Sequence, residues 1–130
     1  MTRILLIDDD RGTLLLYESI LREEGYEVSS AANGPEGLHL LKSERPDLVV
    51  LDVSMPGMDG LEVLARILAI DRKVPIVLNS GYSSYRKNFL SWSAEAFVVK
   101  SSDPSELKKT INEVLSRVTG QASQRSASAG

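Results

Sequence analysis

Polar and charged side chains stand at the ends of four short apolar runs of the chain: Asp8, Asp9, Asp52, Ser80 and Lys100. If these runs are strands of one parallel sheet, their carboxyl ends share one edge, which is where chemistry gathers in such folds. Carboxylates that lie together raise each other's pKa values and need a counter-charge. A divalent cation with oxygen ligands supplies it, and Mg²⁺ typically combines one or two carboxylates with waters and a phosphate. The pattern therefore predicts a cation site built from acids on two strands.

A single acid after a strand has a simpler explanation. Aspartate commonly caps the helix that follows, and this explanation suits Asp10 and Asp59 taken alone. Capping does not account for the double acid Asp8–Asp9 together with a third acid, a hydroxyl and a lysine at other strand ends. We therefore treat the strand-end side chains as one site and Asp10 as a solvent-facing or capping residue.

Five brief runs, most of them rich in Val, Ile and Leu, predict the strands: Ile4–Ile7, Val28–Ala31, Leu48–Leu51, Ile76–Leu78 and Phe97–Val99. Such runs are typical of strands that are buried on both faces, as in a parallel sheet covered by helices.

Segments with helical spacing of apolar residues lie between and after the predicted strands. Leu14, Tyr17 and Leu21 predict a first helix that ends at Gly25, and a fourth is expected around residues 84–90. Asp103 and Pro104 have the residue types of an N-cap and first turn for the last helix. The alternation predicts a single doubly wound α/β sandwich, with a five-stranded parallel sheet in the flavodoxin-like order 2-1-3-4-5.

Composition limits the class of protein. A chain of 130 residues with 42% hydrophobic and 25% charged residues suits one globular domain. The absence of cysteine excludes disulfides and thiolate metal sites. Scattered basic residues and a net charge of −3 indicate no nucleic-acid surface. With no long apolar segment and no secretory leader, we expect a cytoplasmic protein without a membrane partner.

The last twelve residues, TGQASQRSASAG, are small and polar. We expect a folded domain over residues 1–118 and a disordered tail or linker over residues 119–130.

The segments DD, LDVSMPGMDG, NSG and VVK together resemble the receiver domain of bacterial two-component response regulators, including the chemotaxis response regulators. The resemblance extends from Arg3 to about Val118. It implies that Asp52 accepts a phosphoryl group from a sensor histidine kinase, a phosphotransfer protein or a small phosphodonor. It also implies that Mg²⁺ or Mn²⁺ is bound by Asp9, Asp52 and the backbone carbonyl of Ser54, with Asp8 acting through a metal-bound water.

The resemblance assigns roles to further residues. Ser80 and Lys100 would contact phosphoryl oxygens, and Phe97 would turn inward when Ser80 moves, although Phe97 also suits a plain core position. Ser54 and Tyr82 occupy positions that tune the loss of the phosphoryl group. The implied function is a phosphorylation-controlled signalling switch rather than an enzyme that turns over an external substrate. A homodimer or output partner would use the fourth helix, the fifth strand and the fifth helix.

Three features depart from the family pattern or carry no family role. Lys100 precedes Ser101 where most relatives have proline, and a cis bond to a non-proline residue costs about 3 kcal/mol, so we predict a trans bond. Tyr85, Phe89 and Trp92 form an aromatic stripe that is either core or a partner surface. His39 lies on the polar side of the second helix, which is predicted over Pro35–Lys42, and we expect it to be solvated.

Three other functions compete with a phosphorylated receiver. A Mg²⁺-dependent phosphatase of similar fold needs an acid two residues after its nucleophile, where this chain has Ser54. A metal-free pseudo-receiver would not need the retained acids, Ser80 and Lys100. A receiver cut from the N-terminus of a longer transcriptional or enzymatic regulator remains an alternative.

Overall fold

The computed structural model of the chain describes residues 2–52, 60–80, 94–100 and 103–129. Strands and helices alternate over the first part of the chain: β1 (Arg3–Ile7), α1 (Arg11–Glu23), β2 (Glu27–Ala31), α2 (Gly34–Glu44), β3 (Leu48–Leu51) and α3 (Gly60–Ile70). The remaining described elements are β4 (Ile76–Ser80), β5 (Ala96–Val99) and α4 (Ser105–Ala129). The predicted helix around residues 84–90 lies outside the described residues, so α4 denotes the C-terminal helix.

The five strands form one parallel sheet in the order β2-β1-β3-β4-β5. This confirms the predicted strand order and the position of β1 beside β3. Each predicted apolar run is a strand, and β4 continues two residues further than predicted, to Ser80. Because Ile7 pairs with Leu51, the residues that follow β1 and β3 emerge next to each other.

Side chains that alternate between the two faces of the sheet form two separate hydrophobic clusters, one on each face. Leu5 and Ile7 join the cluster that α2 and α3 cover, which includes Leu41 and Ile67. Ile4 and Leu6 join the opposite cluster, against α1 and α4. The sheet therefore has helices on both faces, which is the doubly wound arrangement predicted from the sequence.

Short polar side chains cap the N-termini of α2 and α4. Asn33 Oδ1 accepts the backbone N–H of Glu36 at 2.8 Å at the start of α2. Asp103 Oδ1 accepts the backbone N–H of Ser105 at 3.0 Å, in line with the predicted cap of the last helix. After α1 the chain turns at Gly25, whose φ of 92° lies in the left-handed region that favours glycine. The predicted end of the first helix is thereby confirmed.

Helix α4 extends to Ala129 and so includes residues 119–129, part of the segment predicted to be a disordered tail or linker. Alanine, glutamine and arginine in that segment favour helix more than they favour burial. The core-facing residues of α4 come earlier, with Leu107, Ile111 and Val114 buried. The domain boundary near residue 118 stays a prediction. None of the described helices is long and apolar enough to cross a membrane.

Candidate functional site

The acids of β1 and β3 are placed by the backbone pairing of the sheet. The Asp52 N–H donates to the Ile7 carbonyl at 2.9 Å, and the Asp8 N–H donates to the Ala31 carbonyl at 3.1 Å. These bonds continue the strand ladders by one residue past the last strand positions. The two acids therefore emerge side by side at the carboxyl edge of the sheet.

Three carboxylates meet at this edge. One side-chain oxygen from each of Asp8, Asp9 and Asp52 lies within 4.8 Å of the other two. Asp8 and Asp52 are buried, with exposed fractions of 4% and 3%, whereas Asp9 is exposed to solvent. A group of hard oxygen donors with one open side fits a small divalent cation such as Mg²⁺. The structure thus brings together the three acids that the sequence singled out.

Lys100 lies directly against the two buried acids. Its Nζ is 2.7 Å from Asp8 Oδ2 and 3.1 Å from Asp52 Oδ2. Burial by itself would lower the pKa of Lys100, but the hydrogen bond to Asp8 and the charge of Asp52 outweigh burial and raise it. The ammonium group is therefore charged at neutral pH and neutralises part of the acid cluster.

For Asp8, in contrast to Lys100, burial has the dominant effect on the pKa. Its burial raises its pKa above the ordinary value, and this outweighs the hydrogen bonds from Lys100 and from the backbone N–H of Asp10, which act to lower it. Asp8 Oδ1 accepts that N–H at 2.9 Å. Asp8 therefore touches both the ammonium group of Lys100 and the loop that leads into α1.

Ser80 and Phe97 lie on the neighbouring strands. Ser80 is fully buried as the last residue of β4, and its carbonyl accepts the backbone N–H of Lys100 at 2.8 Å. Phe97 pairs in register with Leu78 and packs, partly buried, against the cluster under α2 and α3. The structure thus places Ser80 and Lys100 at the same end of the β4–β5 pair and Phe97 against the core.

Asp10 and His39, which were predicted to lie outside the acid cluster, are exposed as expected. Asp10 is exposed and caps α1, accepting the backbone N–H of Gly12 at 3.3 Å and the Thr13 hydroxyl at 2.6 Å. The hydrogen bond from Thr13 is the main cause of its lowered pKa. His39 is exposed on α2, as predicted.

Several predicted features lie outside the described residues: the Ser54 carbonyl, Tyr82, the Lys100–Ser101 bond and the aromatic stripe of Tyr85, Phe89 and Trp92. Their roles stay predictions.

Sequence reasoning missed two features of the site region. It assigned Lys100 to a phosphoryl oxygen and not to the acids that it contacts here. It also passed over Asn79, a buried amide inside β4 that donates to the Tyr17 hydroxyl at 3.0 Å. The available signal was an asparagine within the apolar run PIVLNS, which is unusual for a buried strand.

Comparison with known proteins points to one family. The family model described as the response regulator receiver domain matches residues 4–112. The structure of the response regulator TrrA of Thermotoga maritima with Mg²⁺-BeF superposes with a TM-score of 0.83 and 42% identity, covering 87% of this chain and 98% of that one. TrrA in complex with the histidine kinase ThkA gives a TM-score of 0.82 and 43% identity, over 88% and 99% of the two chains.

Among curated proteins, the transcriptional regulatory protein PrrA of Mycobacterium tuberculosis is 37% identical over 117 residues, which are 88% of this chain and 50% of PrrA. The chain spans about half the length of most of the transcriptional regulators that it matches.

Proposed function

Because the chain belongs to the response regulator receiver domain family, we propose that it is a phosphorylation-controlled switch that accepts a phosphoryl group on Asp52. The observation that carries the proposal is the surroundings of this carboxylate. Asp52 is buried at the sheet edge, 3.1 Å from the ammonium group of Lys100 and within the three-acid cluster. Asp8 shares these surroundings, and the resemblance of the segment LDVSMPGMDG to the family pattern is what selects Asp52 rather than Asp8 as the acceptor.

The transfer would proceed by in-line attack. A carboxylate oxygen of Asp52 forms a bond to phosphorus as the bond from phosphorus to the donor's imidazole nitrogen breaks, and the bonding pair stays on that nitrogen. Charge develops on the phosphoryl oxygens, so that positioning and electrostatic stabilisation supply most of the catalysis. Lys100 would shift from the acids to a phosphoryl oxygen, and Ser80 would donate its hydroxyl to another.

The acid cluster would also hold the metal ion. Asp9 and Asp52 would bind Mg²⁺ or Mn²⁺ directly, together with the Ser54 carbonyl, and Asp8 would act through a bound water. Their hard oxygen atoms and mutual proximity suit such an ion. The bound cation would neutralise charge at the reacting oxygens. Asp9, the exposed member of the cluster, leaves the site open to solvent for the donor.

The partner would be a sensor histidine kinase or a phosphotransfer protein in the cytoplasm. The complex of TrrA with the histidine kinase ThkA supports this, since TrrA is 43% identical to this chain. An output partner or a second copy would bind at the helix predicted around residues 84–90, at β5 and at the C-terminal helix α4. The protein would act as a switch rather than turn over an external substrate. The match covers 98% of the solved TrrA chain but only 50% of PrrA, so relatives of similar and of greater length match the chain.

Incubation with acetyl phosphate tests the proposal. The chain should gain the mass of one phosphoryl group when Mg²⁺ is present, and neither excess chelator nor Asp52→Ala should permit the gain. Asp71→Ala removes an exposed acid that lies between α3 and the start of β4, at the opposite end of the strands from the cluster; it is the matched control and should label normally. Full labelling of Asp52→Ala, or of the wild-type chain in chelator, would overturn the proposal.

A further inference from the structure

A hydrogen bond between two buried side chains crosses the cluster between the sheet and α1. Asn79 on β4 is 1% exposed and Tyr17 on α1 is 6% exposed. Asn79 Nδ2 donates to the Tyr17 hydroxyl at 3.0 Å. The residues around the pair are apolar, with Val77 and Val98 in the same cluster as Tyr17.

The amide of Asn79 is only half satisfied. Its Oδ1 is buried and has no hydrogen-bond partner within the part of the chain that the structure describes. If the amide were turned over, Oδ1 would accept from the Tyr17 hydroxyl and Nδ2 would lose its partner, so one hydroxyl cannot satisfy both ends. A buried polar atom without a partner costs stability. The pair is therefore difficult to explain as a device for stability alone.

The pair joins the two halves of the candidate site. On one side, Tyr17 belongs to the helix that Asp10 caps, and the Asp10 N–H is bonded to Asp8. On the other side, Asn79 directly precedes Ser80, whose carbonyl holds the backbone of Lys100. The bond from Asn79 to Tyr17 thus connects α1, whose cap residue is bonded to Asp8, with the end of β4, where Ser80 lies beside Lys100.

We propose that Asn79 is a positioning residue that acts through Tyr17 to hold the Ser80 end of β4 in place relative to the acid cluster. The inference rests on the proposed function for its role in phosphoryl transfer. Its structural part, control of the β4 end, can be measured without phosphorylation.

Replacement of both partners by apolar residues separates this role from a stabilising one. When both groups of a buried hydrogen bond are replaced by apolar groups of similar shape, the change in stability is near zero or favourable. We therefore expect the Tyr17→Phe and Asn79→Val double variant to melt at the wild-type temperature or above it. Its labelling by acetyl phosphate in Mg²⁺ should nevertheless be about tenfold slower, a barrier change of about 1.4 kcal/mol.

Ile111→Val is the matched control, because it removes one methylene group from the same cluster without touching the pair. It should lower the melting temperature and leave labelling unchanged. Wild-type labelling in the double variant would overturn the inference, as would an equal slowing in Ile111→Val. If the double variant does not fold, Tyr17→Phe alone is measured and should slow labelling in the same direction.

Hydrogen exchange keeps the inference separate from the proposed function. The Lys100 amide, which donates to Ser80, should exchange several-fold faster in the double variant while amides of β1 and β3 keep their protection. Unchanged exchange at Lys100 would overturn the inference. If the wild-type chain is not labelled at all, the proposed function fails, and the exchange of the Lys100 amide still decides the structural part.

Discussion

Among single residues, Lys100 stands out because its ammonium group and a bound cation would neutralise the same carboxylates. Lys100 contacts Asp8 and Asp52 at 2.7 Å and 3.1 Å, and these are two of the three acids suited to hold the cation. Removal of one partner of a buried ion pair is costly because the remaining charge is left without compensation. Lys100 should therefore stabilise the metal-free fold and weaken cation binding.

The variant Lys100→Met should be less stable than the wild type in chelator, by about 2 kcal/mol, because two buried acids lose their counter-charge. Its affinity for Mg²⁺ should be higher. Urea unfolding in chelator measures the first effect and titration with Mg²⁺ the second. Lys42→Met, which removes an exposed lysine of α2, should change neither quantity, and equal losses in the two variants would contradict the role of Lys100.

The same charge predicts a dependence on pH. Because the pKa of Lys100 is raised above the ordinary value of 10.5, the stability from its charge is fully present below that pH. It is lost as the pH rises through the higher pKa of the folded state. The stability difference between wild type and Lys100→Met in chelator should therefore be constant at neutral pH and shrink in strong alkali. A difference that grows with alkalinity would contradict this sign.

Asp9 should behave differently from the two buried acids. Among the described residues it forms no ion pair, although its carboxylate belongs to the acid cluster. Asp9→Asn should weaken Mg²⁺ binding yet raise the melting temperature in chelator, since relief of like-charge repulsion is worth about 1 kcal/mol. Glu23→Gln, an exposed acid remote from the cluster, is the control for loss of a negative charge. A lower melting temperature for Asp9→Asn would show a structural role for this side chain.

At the scale of elements, the close approach of α2 to β1 depends on a glycine. A methyl group at Gly37 would lie 2.5 Å from Ile7 Cδ1 and 2.9 Å from Ile7 Cγ1. Ile7 is fully buried and immediately precedes the acid pair, so it has little freedom to move aside in a close-packed core. The glycine therefore helps to set how α2 packs beneath the site.

The variant Gly37→Ala should be destabilised by about 1 kcal/mol, because overpacking outweighs the better helix propensity of alanine. Ile7→Val removes Cδ1, the atom nearest to the added methyl group. The double variant should therefore lose less stability than the sum of the two single changes. Urea unfolding of all four chains measures the coupling. Gly12→Ala on α1, where the nearest atom is at 3.7 Å, should cost nothing; strict additivity would contradict the packing argument.

In the molecule as a whole, the carboxyl and amino ends of the strands, here called the carboxyl and amino edges of the sheet, have different roles. The carboxyl edge collects the acids, Ser80 and Lys100. At the amino edge, Arg3 contacts the carboxylates of Glu27 and Glu44 at 2.8 Å and 2.9 Å, and its backbone N–H donates to Asp47 at 2.7 Å. This edge ties β1 to β2 and to the loop after α2, away from the candidate site.

Separation of the edges predicts that Arg3→Met lowers the melting temperature slightly, since partly exposed ion pairs contribute modestly. The rate of labelling by acetyl phosphate should stay at the wild-type value. Thermal melts and intact-mass kinetics on the same preparation test both statements. A slower reaction in Arg3→Met would mean that the edges are coupled through β1.

The parts of the fold that depend on local pattern were predictable. Short runs rich in Val, Ile and Leu predict most of the five strands, and parallel strands bring Asp8 and Asp52 to one edge whatever the details of packing. The contacts of Lys100 with those acids, and of Asn79 with Tyr17, were not predictable. Tyr17 and Asn79 are 62 residues apart in sequence, and no periodicity encodes a distance between side chains on different elements.

The position of the phosphoryl group on the chain decides whether Asp52 is the acceptor. The chain is incubated with acetyl phosphate and Mg²⁺, reduced with borohydride to convert an acyl phosphate into homoserine, and analysed by peptide mass spectrometry. We expect homoserine at position 52 in the wild-type chain, and none there when chelator replaces Mg²⁺. Reduction at another aspartate, or at position 52 to the same extent in chelator, would contradict it.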